Sequence, residues 1–154
     1  MHKKLQLKYP IVLVHGLGAL GTMGPFEYFY KIPAWLTEHQ NRFHIVNLSF
    51  WHSIEHRAEE LNRAMVKIFP GEKVNLIGHS MGGYVAMAFA EKYDEQLSGL
   101  CMFHSSASAD SVEKKADRDR AIEAVKADKK AFVFALLDKL FAPENLPLMK
   151  KQIE

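Results

Sequence analysis

A chain of 154 residues, 48% hydrophobic and 25% charged, can close one real core and has no apolar stretch long enough to span a membrane. Its formal charge of +2 comes from basic residues scattered among acids, which leaves no footprint for nucleic acid or an anionic membrane surface; the expected partner is a small molecule. The single cysteine, Cys101, excludes an internal disulfide and, set in an apolar run, reads as a small core residue in a reducing compartment.

Met1 to Lys8 is basic, but Pro10 and His15 interrupt any signal-peptide core, so a cytoplasmic location is expected. Ile11-Val12-Leu13-Val14 is a mostly β-branched run, the pattern of a strand buried on both faces of a parallel sheet. Gly16 to Gly21 then spells G-x-G-x-x-G. A dinucleotide site needs those glycines to open a helix and an acid at the end of the next strand. Here Thr22-Met23-Gly24-Pro25 prolongs the loop and the next strand ends Asn47-Leu48-Ser49, so no cofactor is expected.

Pro33 suits the first turn of a helix to about His39, and Phe43 to Leu48 reads as a second strand. Ser53 can cap a helix in which Ile54, Ala58, Leu61, Met65 and Ile68 recur at three- and four-residue spacing until Pro70-Gly71. The two helices should cover opposite faces of the sheet. His52 and His56 lie four apart at the start of the second; without a third ligand they read as a solvated face, and no metal is expected.

Val74-Asn75-Leu76-Ile77-Gly78-His79-Ser80-Met81-Gly82-Gly83 is an apolar strand ending in G-x-S-x-G and opening directly into the apolar Tyr84 to Ala90. This is the pattern of a nucleophile elbow. Gly78 and Gly82 keep side chains out of the turn, Ser80 stands at its apex, and the amide of Met81, first in the next helix, points at the oxygen that gains charge during acyl transfer. Gly99 to Phe103 is a fourth strand, ending in His104. Strands alternating with helices and right-handed crossovers predict a doubly wound parallel α/β sheet.

Beyond Ala107 the character changes. Asp110 to Glu113 resembles a helix start with a reciprocal capping pair, leading a charged helix to about Lys126. Asp128 begins another, with Phe132, Leu136, Leu137 and Leu140 on an apolar face, and Pro143 opens a last one. The expected organisation is a core over 1–106 and a helical segment over 107–154.

Tyr9 to Gly18, together with Val74 to Gly83, resembles the α/β-hydrolase superfamily. The N-terminal half, including Phe26 to Pro33, is similar to bacterial triacylglycerol lipases, and the part from His104 onward to the strand end and cap of small carboxylesterases. The resemblance implies a serine ester hydrolase acting on an ester or lipid, with Ser80 as nucleophile and an oxyanion hole from the amides of Leu17 and Met81. It also implies a central elbow strand, with residues 11–14 on one side and 99–103 on the other. His15 would border the substrate, and a cap would add an acyl-binding wall of Phe132, Leu136, Leu137 and Leu140.

In that family the triad's acid and histidine follow later strands, and this sequence has neither, so it reads as truncated or chimeric, with weak or no activity. The only histidine after Ser80 is His104, at the carboxyl end of the neighbouring strand, which makes it the one candidate base. Asp94 is carried roughly 20 Å to the opposite edge by the intervening helix at ~1.5 Å per residue. An unpaired edge on strand 99–103 predicts a homodimer joined edge to edge about a two-fold axis. The alternative is a non-catalytic scaffold that keeps the elbow as architecture.

Overall fold

A computed structural model describes residues 5–16, 22–23, 26–49, 52–128, 131–132, 135 and 143–147. The chain divides into two compact units, Met1–Ala107 and Ser108–Glu154.

In the first unit, β1 (Ile11–Val14) is followed by a two-stranded antiparallel pair, β2 (Thr22–Met23) and β3 (Phe26–Glu27), and by α1 (Ile32–Glu38). Then come β4 (Phe43–Val46), α2 (Ile54–Ile68), β5 (Val74–His79), α3 (Met81–Lys92), a short 3-10 turn at Asp94–Gln96 and β6 (Leu97–Phe103). The sheet order is β4-β1-β5-β6, all parallel. The elbow strand β5 is therefore internal, between β1 and β6 as the resemblance implied. β4 is shorter than the predicted Phe43–Leu48, although Leu48 is still buried.

Alternation along β1 builds a core on each face of the sheet. Val12 and Val14 pack with Ala58, Leu61 and Met65 of α2 and with Val85, Ala86 and Phe89 of α3. Ile11 and Leu13 face the other way, onto Phe29 and Leu36. Helices α1 and α2 thus cover opposite faces. Sequence signals account for their ends: Pro33 lies in the first turn of α1, the Ser53 hydroxyl accepts from the His56 amide at 3.2 Å, and Gly71 takes a left-handed φ of 71° just beyond α2.

β6 departs from the expected burial. It pairs with β5 from Gly99↔Asn75 to Phe103↔His79, yet Leu100 and Phe103 are exposed and so is Cys101. The reading of Cys101 as a core residue is corrected: β6 is the last strand in the sheet order, and among the described residues no further strand flanks it.

The second unit carries α4 (Val112–Ala127), which has no buried residue. Its cap also differs from the expected one. Ser111, not Asp110, is the N-cap, accepting from the Lys114 amide at 3.3 Å, while Asp110 accepts from Arg118 Nε at 2.5 Å. The guanidinium holds the Asp110 carboxyl below the usual carboxylate range. The Asp128 carboxylate accepts from the Ala131 amide at 3.0 Å, starting the next helical turn as predicted.

Candidate active site

β5 runs into α3 through Ser80, whose backbone sits at φ 55°, ψ −124°, a region that non-glycine residues enter only under strain. Crowding leaves no room for side chains on either flank. A Cβ on Gly78 would lie 2.5 Å from the Gly82 carbonyl oxygen and 2.7 Å from Gly83 Cα, and one on Gly82 would lie 2.6 Å from the His15 carbonyl oxygen. The turn is tied to β6: the Ser80 amide donates to the Phe103 carbonyl at 2.8 Å. The Ser80 carbonyl accepts from the Gly83 amide at 2.9 Å and from the Ser105 hydroxyl at 2.5 Å. Met81 opens α3, so its amide is one of the helix's unpaired first-turn donors.

The loop after β1 passes directly over this turn. A Cβ on Gly16 would stand 3.3 Å from Ser80 Oγ and 2.8 Å from Tyr28 Oη. Tyr28 joins both sides of the site. The Gly16 amide donates to its hydroxyl at 3.0 Å, and the hydroxyl lies 2.5 Å from His79 Nδ1. The phenol hydroxyl thus bridges the Gly16 amide, from which it accepts, and the His79 ring, with which it shares a short hydrogen bond. Electrostatics agree: burial and the neighbouring His104 hold His79 below its ordinary value, favouring the neutral ring, and burial raises Tyr28, so the phenol keeps its proton.

A family model of the alpha/beta hydrolase fold matches residues 9–122. The chain belongs to the α/β-hydrolase family. Over 81 residues it is 41% identical to a triacylglycerol lipase of Vibrio cholerae, a match covering 51% of this chain and 26% of the lipase. A 49-residue stretch is 43% identical to a proline iminopeptidase of Saccharolobus solfataricus, covering 32% of this chain and 16% of that one. Among solved structures, a thermophilic esterase from Thermogutta terrifontis superposes with a TM-score of 0.68 at 27% identity, over 94% of this chain and 55% of the esterase. The chain thus spans about a quarter of the curated lipase (26%) and about half of the esterase (55%).

Within this α/β-hydrolase, Ser80, Met81, His79 and His104 gather at the carboxyl ends of β5 and β6. His104, exposed and at φ 52°, places its ring 5.6 Å from that of His79 and 4.4 Å from that of Phe103. Among the described residues, no hydrogen bond links the Ser80 hydroxyl to either imidazole. Leu17, Leu136, Leu137 and Leu140 lie outside the described residues, and Phe132 is helical and half-buried.

His15 is only 1% exposed; its Nδ1 donates to the Gly16 carbonyl at 2.9 Å, and its Nε2 faces the Leu48 amide at 3.5 Å. Burial lowers its pKa and the charge of Arg57 lowers it further, against the Gly16 hydrogen bond. A ring so enclosed braces the backbone at Gly16 and Leu48. Sequence reasoning missed Tyr28 and Ser105. The aromatic run Phe26 to Tyr30 and the serines after His104 hinted at them, but their partners are 51 and 25 residues away. It also missed Glu60, which stands beside His52 and His56, with one potential ligand atom of each of the three within 4.8 Å of the others.

Proposed function

We propose that this chain carries the nucleophile half of a serine ester hydrolase. The carrying observation is the strained apex position of Ser80 at the start of α3, beside the loop at Gly16. Ser80 Oγ attacks an ester carbonyl, its proton passing to a base; the carbonyl oxygen, now an oxyanion, accepts from the Met81 amide and from Leu17. Collapse expels the alcohol, which takes up the proton, and water then releases the acid and regenerates Ser80. His104 is the candidate base. With no base hydrogen-bonded to Ser80 among the described residues, turnover rests on binding and oxyanion stabilisation, about 10³–10⁴-fold over water rather than the rate of a full triad. Among the described residues no strand flanks β6 on its outer side, which suits pairing with a second copy across a two-fold axis.

The test is hydrolysis of a short activated ester by the wild type and by Ser80→Ala. Equal rates would remove Ser80 from the chemistry. The missing Ser80–imidazole hydrogen bond favours a second reading, a scaffold that keeps the elbow only as architecture. A serine-directed phosphonate separates the two: stoichiometric labelling lost in Ser80→Ala supports the hydrolase, and an unlabelled wild type supports the scaffold.

A further inference from the structure

We propose that His52, His56 and Glu60 form a binding site for a zinc-like divalent cation, separate from Ser80 and independent of ester hydrolysis. One ligand atom from each residue lies within 4.8 Å of the others. His56 Nε2 and Glu60 Oε1 are 3.3 Å apart. Two ligands of a tetrahedral zinc at ~2.05 Å are separated by about 3.3 Å, so this pair already has the spacing of a coordination edge. Spacing along the chain explains the convergence. His56 and Glu60 are four apart in the first turns of α2, and helical side chains lean toward the N-terminus, so Glu60 reaches back to His56; His52 lies just before the Ser53 N-cap, stacked on His56. The two imidazoles stack, with centroids 4.3 Å apart and planes 20° from parallel, and metal binding would require exposed His52 to turn a ring nitrogen toward the His56–Glu60 pair.

Glu60 is held in place for this role. Its Oε2 accepts from the Ser49 amide at 2.9 Å and the Ser49 hydroxyl at 2.8 Å, leaving Oε1 turned to His56. Hydrogen-bonded carboxylates of this kind orient metal ligands. A plain i,i+4 ion pair between His56 and Glu60 accounts for one contact but gives His52 no part. The positive end of the helix dipole opposes a cation here, and the Glu60 charge offsets it. Two nitrogens and a carboxylate suit zinc over magnesium or calcium and leave a fourth position for water. Bound metal would clip the segment after β4, through Ser49 and His52, to α2.

The experiment is calorimetric titration of Zn²⁺ into the chelator-stripped full chain, with a parallel thermal melt. The expected result is one site per chain and a higher melting temperature with zinc. Glu60→Gln, which keeps an acceptor for Ser49, and His56→Ala should each weaken binding at least ~10-fold and abolish the melting shift. His39→Ala, at the C-cap of α1, should bind as wild type; the chain has 8 histidines, so this control separates the site from scattered imidazoles. Circular dichroism checks that each variant is folded. A folded wild type that takes up no zinc at one-to-one stoichiometry, or Glu60→Gln and His56→Ala proteins that bind as wild type, would overturn the proposal.

Discussion

Ser80 carries a backbone conformation that its own side chain disfavours, and comparing Ser80→Gly with Ser80→Ala isolates that cost. At φ 55°, ψ −124° a residue with a Cβ bears about 1–3 kcal/mol of strain. Alanine keeps the Cβ and loses only the hydroxyl. Glycine relieves the strain, offset by about 0.5–1 kcal/mol for the greater freedom it adds to the unfolded chain. The backbone bonds that hold the turn, from Ser80 to Phe103, Gly83 and Ser105, survive in both. Ser80→Gly is therefore expected to be more stable than Ser80→Ala by about 1.25 kcal/mol at the middle of those ranges (roughly 0–2.5 at their extremes), a rise in melting temperature centred near ~4 °C for a chain of this size. Both should lose ester hydrolysis. Urea unfolding followed by far-ultraviolet circular dichroism measures the difference. A glycine variant no more stable than the alanine one would refute the claim that the elbow stores strain at Ser80.

Gly78→Ala forces a Cβ to within 2.5 Å of the Gly82 carbonyl oxygen and 2.7 Å of Gly83 Cα. Both obstacles are backbone, so the substitution should cost about 1–3 kcal/mol in urea unfolding. Tyr28→Phe leaves the Gly16 amide and His79 Nδ1 without their partner and should destabilise the unit by about 1–3 kcal/mol; an unchanged melting temperature would show that the bridge carries no weight. Stability should fall as pH drops below 6.5. Burial holds His15, His44 and His79 below that value in the folded chain, so the unfolded chain takes up protons the native one refuses. Well above 6.5 the slope from the three fades to nothing, and His15→Gln should flatten the acid-side decline in unfolding free energy measured from pH 8 to pH 5.

Local pattern accounts for most of the first unit. The β-branched run at Ile11–Val14, the cap at Ser53, the Pro70-Gly71 stop and the Gly78 to Gly82 elbow each act through neighbouring residues, and periodicity assigned α1 and α2 to opposite faces because alternation along β1 demands two cores. What escaped the linear reading depends on residues far apart in the chain. Cys101 looked like core because its segment is apolar, but burial depends on what lies beside β6, and an apolar run does not supply its own cover. Asp110 and Ser111 are both good caps, and the choice went to the one whose neighbour could pair with Arg118.

His15 has a loop histidine's sequence context, yet packing encloses it where the loop meets Leu48. The hydrogen bond between Tyr28 and His79 forms because the parallel pairing of β1 with β5 brings segments 51 residues apart to one edge of the sheet, and that between Glu60 and Ser49 because α2 folds back along the segment after β4. Residue type and spacing determine which elements form and which side chains have chemistry to offer. Which of those side chains meet is decided by the sheet order, since partners tens of residues apart are brought within hydrogen-bond reach only when the strands between them have paired.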